Sequence, residues 1–110
     1  MIKKHIKDKL NKNLLLVYSG LSRTAHDIAS GFVKKLKKNK KDNILQITNL
    51  VNAAEESLKK GDLDTFGELL HESWLEKKNL SSSISSYKID NIYLLQYLII
   101  LQVFSLYIVL

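Results

Sequence analysis

The apolar positions fall into four patterns that each predict one kind of element. Residues 13–18, NLLLVY, form a short continuous apolar run followed at once by the turn-forming pair Ser19 and Gly20, which predicts a buried strand. Beyond the turn, Ala25, Ile28, Ala29, Phe32, Val33 and Leu36 recur at steps of three and four, so one helical face is apolar and the lysines take the other. Ser22 or Thr24 can cap that helix. After the polar loop KNKKDN, residues 38–43, the same spacing returns at Ile47, Leu50, Val51, Ala54 and Leu58, with Gly61 placed to end a second helix. Asp62 or Asp64 can open a third, whose apolar stripe is Phe66, Leu69, Leu70 and Trp74. A serine-rich loop, residues 79–86, follows; its Ser81, Ser82, Ser83, Ser85 and Ser86 form either a flexible connection or a polar loop that approaches a ligand. The second and third helices, joined by so short a link, are expected to pack as an antiparallel hairpin.

The fourth pattern is different. Residues 91–110 carry no charge, and the last nineteen approach the length of a membrane span. Tyr93, Gln96, Tyr97, Gln102, Ser105 and Tyr107 interrupt the apolar run, and no charged cluster follows it. A membrane attachment through 91–110 is one reading, which these interruptions weaken; the other is that the segment is not native coding sequence.

Composition narrows the class. A chain of 110 residues with 45% hydrophobic and 25% charged residues suits one small globular domain. The absence of cysteine excludes disulfides and thiolate metal sites and fits a reducing cytoplasm. The basic start, MIKKHIKDKLNKN, lacks the apolar stretch of an export signal, so a cytoplasmic location is expected, with membrane attachment through the tail as the alternative. The net charge of +6 would favour polyanions, but the lysines of residues 3–12 and 34–41 have no interleaved aromatics and no base-reading motif, which argues against nucleic acid. Repeats, metal-ligand spacing, a complete phosphate loop and a paired nucleophile and base are all absent.

Arg23 is the single arginine among seventeen basic residues. It stands at the strand-to-helix turn SGLSR, where free backbone N–H groups and the positive end of a helix favour an anion, and its guanidinium can grip phosphate or carboxylate with two parallel bonds. It is either a contact for an anionic substrate or one half of an ordinary ion pair. His71, Trp74 and Lys78 share one helical face. That face either lines a binding cleft, or Trp74 is core, His71 a hydrogen-bonded boundary residue and Lys78 solvated. His26 reads as a surface residue rather than a catalytic base.

Three segments carry a family resemblance: YSGLSR at 18–23 running from an apolar strand into an alanine-bearing helix, LKKGDLDTFGELLHESWLEKKNLSSSIS at 58–85, and IDNIY at 89–93. In this order and at these short intervals they resemble the C-terminal domain of GHMP-type sugar kinases, most nearly the D-glycero-D-manno-heptose 7-phosphate kinases. The resemblance implies an α+β fold, helix-rich with one N-terminal core strand and an apolar C-terminal segment. It divides the chain into a basic lead-in at 1–12, a kinase-like region at 13–93 and a non-matching tail at 94–110.

What the resemblance implies functionally is magnesium-dependent phosphoryl transfer from ATP to a sugar phosphate, in which phosphates are held and a hydroxyl aligned for in-line attack. Arg23, His71, Trp74 and Lys78 become substrate-binding candidates, and no residue here matches a catalytic one. The family's glycine-rich ATP loop and catalytic carboxylate lie upstream of the matching region, and the four glycines here are never adjacent. The chain alone is therefore expected to bind neither ATP nor magnesium and to be inactive unless a separately encoded N-terminal half docks on it. After Tyr93 the family's glycine-rich strand is replaced by LLQYLIILQVFSLYIVL, so a shifted reading frame near residue 94 is expected. The competing functional reading is a small basic helical interaction protein attached to a membrane by that tail.

Overall fold

The computed structural model describes residues 1–22, 26, 27, 29, 30, 33, 40–80, 84–100 and 106–109, with backbone only for Leu15, 97–100 and 106–109. Its elements are α1 (Lys4–Lys12), β1 (Leu14–Val17), α2 (Lys41–Lys60), α3 (Leu63–Lys78), α4 (Tyr87–Ile100) and β2 (Leu106–Val109). The fold is helix-rich with a small sheet. Arg23 and most of the helix expected over 25–36 lie outside the described residues, as do most of the lysine run at 34–41 and Ser81, Ser82 and Ser83.

The α2–α3 hairpin is the most extensively packed pair of elements. Its link is built from local chemistry. Gly61 adopts the left-handed conformation, φ 77°, donating to the Leu58 carbonyl at 3.1 Å, while the Asp62 N–H reaches the Ser57 carbonyl at 2.9 Å. These two bonds close the last turn of α2 in a pattern that L side chains resist and glycine accepts. Asp62 then opens α3: its carboxylate accepts from the Thr65 N–H at 3.1 Å and the Thr65 hydroxyl at 2.7 Å. These hydrogen bonds from Thr65, hydroxyl first, hold the Asp62 carboxyl below the usual aspartate range. At the open end Lys40 donates to the Asn79 carbonyl at 2.6 Å, and the Asn43 amide to Glu76 at 2.8 Å. These contacts place the start of α2 beside the end of α3, the expected antiparallel arrangement. A cation there also complements the carboxyl end of α3.

Some expectations need correction. α2 begins at Lys41, so the polar loop is shorter than 38–43. Val51, expected on the apolar stripe, is 60% exposed, because the hairpin contact takes only part of that face. Residues 1–12, read simply as a basic lead-in, contain α1, which buries Ile6 against Gly61: a Cβ on that glycine would lie 3.3 Å from the Ile6 side chain.

The larger correction concerns the strand. β1 is where NLLLVY predicts it, but it is no core strand: Leu14, Leu16 and Tyr18, alternating along one face, are exposed. The physical reason is its short sheet. β1 has one partner among the described residues, β2, paired in parallel with Leu14 opposite Leu106 and Val17 opposite Val109. Part of the apolar tail is thus paired with the strand at the opposite end of the chain, and α4 runs unbroken through the 93/94 boundary where the resemblance stops. Among the described residues no helix is long and apolar enough to cross a membrane.

Ile6, Leu63 and Ile89 are the buried apolar side chains among those described. The radius of gyration, 15.2 Å, exceeds the roughly 13 Å of a compact domain of this length. Among the described residues, the elements do not close around one deep core.

A cavity between α3 and α4

The face of α3 that carries His71, Trp74 and Lys78 at three- and four-residue steps turns toward α4. The α4 side is set by its cap. Ser86 accepts from the Ile89 N–H through its hydroxyl at 3.3 Å and from the Asp90 N–H through its carbonyl at 2.8 Å, fixing the first turn. In that phase Asp90, Tyr93 and Leu94, three and four residues apart, point to α3. The two backbones do not pack closely, so side chains bridge the gap and leave a cavity of about 270 Å³ lined by His71, Trp74, Leu75, Lys78, Asp90, Tyr93 and Leu94.

Tyr93 holds the aromatic side together. Its hydroxyl shares a 2.7 Å hydrogen bond with His71 Nδ1, and its ring lies 5.7 Å from both the His71 and Trp74 rings, at interplanar angles of 16° and 29°. Separations and tilts of this kind are favourable offset stacking. His71 and Trp74 are each half-buried.

The polar side is a clamp. Lys78 Nζ and Asp90 Oδ1 are 2.8 Å apart, and the Ser85 hydroxyl donates to the same oxygen at 2.8 Å. The Lys78 hydrogen bond, opposed by burial and aided by Ser85, lowers the Asp90 carboxyl below its ordinary value. With side chains 33% and 42% exposed, the pair is partly screened and orients groups more than it stabilises the fold.

The structure therefore combines the two readings of this face. His71 is the hydrogen-bonded boundary residue, Trp74 is half-buried in an aromatic stack, and Lys78 is ion-paired rather than merely solvated. All three nonetheless line one concave surface. Sequence reasoning missed Asp90 and Tyr93, and named Ser85 only as a member of the serine loop. The signal for the first two was the i, i+3 spacing of Asp90 and Tyr93 opposite a helix already assigned to a site.

At the other candidate site, the turn after β1, Ser19 is buried, Gly20 takes φ 73°, and the Leu21 N–H donates to the Ser19 hydroxyl at 3.2 Å. Among the described residues, Lys88 stands beside this turn, its Nζ 3.5 Å from where a Gly20 Cβ would be. His26 is exposed, as expected. Among the described residues no group of three or more histidines and carboxylates is arranged to hold a metal ion. No known protein family, curated protein or solved structure matches the chain.

Proposed function

We propose that the chain carries part of the C-terminal domain of an ATP-dependent sugar kinase of the heptose 7-phosphate type, and that the α3–α4 cavity is the sugar-facing shoulder of its cleft. The observation that carries this reading is the convergence of His71, Trp74 and Lys78, drawn from the HESWLEKK segment, with Asp90 and Tyr93 of IDNIY on one cavity. Two separate motifs of the family resemblance meet at one place that can hold a small polar ligand. The exposed apolar residues Leu16, Tyr18, Leu45 and Val51 offer surface for a complementary N-terminal half. In this reading ATP and magnesium bind that other half, Arg23 meets the phosphate of the sugar, and the reaction takes place in the cytoplasm.

The chain alone is expected to release no ADP from ATP and magnesium with heptose 7-phosphate, and to gain turnover when mixed with the N-terminal half of such a kinase. Coupled ADP detection reads both. Failure of the mixture to turn over, with no change in Trp74 fluorescence on adding the sugar phosphate, would sink the proposal. Trp74 is the only tryptophan, so that signal reports the cavity directly.

A further inference from the structure

The cavity between α3 and α4 carries a more specific assignment than a sugar phosphate as a whole. Its bottom is an aromatic stack, and its charged groups are already matched: Lys78 and Asp90 sit 2.8 Å apart and together carry no net charge. A phosphate drawn to Lys78 would meet the Asp90 carboxylate at the same place, and like charges at such range repel. An uncharged hydroxyl meets no such obstacle. Asp90 Oδ1 accepts from both Lys78 and Ser85, while Oδ2 accepts from no described residue, so the carboxylate keeps acceptor capacity. Lys78 has three N–H donors and, among the described residues, one such partner. A donor and an acceptor fixed side by side match the neighbouring hydroxyls of a vicinal diol, each of which both gives and takes a hydrogen bond.

The aromatic side completes the match. The axial C–H face of a saturated sugar ring is weakly positive and apolar, and it suits the negative face of an indole or phenol ring. The cavity's volume, about 270 Å³, is on the scale of a single ring.

We propose that this cavity binds the uncharged diol face of a monosaccharide against Trp74 and Tyr93, with Asp90 as a specificity-determining residue, and that it does not bind the phosphate. The assignment rests on the sugar-kinase reading for the role of the site, and it divides the ligand: ring in the α3–α4 cavity, phosphate elsewhere.

The test is a titration of the full chain followed by Trp74 emission, with D-mannose and inorganic phosphate as separate probes. Mannose is expected to give a saturable change in the millimolar range and phosphate none. Asp90→Asn, which keeps the shape but removes the charge, should weaken mannose binding at least roughly tenfold, the loss of a hydrogen bond to a charged group. Ser85→Ala, which leaves the carboxylate in place, should change it by less than about threefold. The inference is overturned if phosphate saturates the signal while mannose does not, if Asp90→Asn binds mannose as the wild type does, or if Ser85→Ala loses as much as Asp90→Asn. The last result would make Asp90 a purely structural brace. Phosphoryl transfer by the reconstituted mixture is read independently, so a kinase that fails this titration and a sugar-binding chain that is no kinase are distinguishable.

Discussion

The α2–α3 hairpin and the β1–β2 sheet show two ways in which a sequence specifies structure. At the hairpin link, the directing groups lie within a few residues of what they direct: Gly61 and Asp62 end one helix and begin the next, and Glu55–Lys59 and Glu56–Lys60 pair at 2.6 Å along the last turns of α2. In the sheet, Leu14 finds Leu106, at the far end of the chain, and the strand so formed still exposes Leu14, Leu16 and Tyr18. Local signals reinforce one another without closing a long loop, whereas distant pairing must first overcome loop-closure entropy. A hairpin that specifies itself and a sheet that rests on remote pairing should respond differently to substitution.

The largest effect is expected at the hairpin link. Gly61→Val places a β-branched side chain at φ 77° and pushes its methyls toward Ile6, already 3.3 Å from a bare Cβ. The left-handed strain and lost closure of α2 should cost roughly 2–3 kcal/mol, seen as a lower urea midpoint at unchanged slope. A loss below about 0.5 kcal/mol would mean the hairpin is held by its long contacts and not by its link.

The legibility of each region follows the same division. Gly61, the Asp62 cap and the 3.6-residue stripe of α3 could be read from sequence because each signal is local. The partner of NLLLVY could not: the apolar run at 91–110 has no charge or proline to mark which part becomes strand, so a shifted reading frame or a membrane segment was read there instead. Burial of β1 was wrongly expected for a related reason. A continuous apolar run states that a strand prefers cover, not that cover is supplied. The candidate site was half legible. His71, Trp74 and Lys78 announced a face by their spacing, but Tyr93 and Asp90, which give that face its geometry, belonged to a segment read as the end of a resemblance. The serine run was read as a flexible connection or a loop near a ligand, and its last two members cap α4 and brace Asp90.

A smaller effect is expected from Asp62→Ala, which removes the α3 cap and should lower the melting temperature by a few degrees. Acid titration gives the same group a signature. The folded Asp62 carboxyl is held below its unfolded value by Thr65, so its contribution is complete above roughly pH 4 and is lost as the pH falls through the lowered folded value. Thermal melts across that window should show the wild type losing more stability than Asp62→Ala. Parallel curves would show that the Asp62 carboxylate plays no part in holding the hairpin.

The smallest effect is expected on the outer face of the sheet. Leu16 is 65% exposed, between Leu14 and Tyr18 on the same side of β1. Leu16→Lys therefore removes little buried area and should shift stability by no more than about 0.5 kcal/mol in urea. It should also reduce self-association, since a charge on an exposed apolar strand opposes edge-to-edge pairing. Sedimentation at increasing concentration measures that part. If Leu16→Lys instead destabilises the isolated chain by more than about 2 kcal/mol, the face is covered in solution, and the contrast between a self-specified hairpin and an exposed sheet fails at its weaker side. If it leaves the chain stable yet blocks turnover in the reconstituted mixture, that strand face is where the N-terminal half docks.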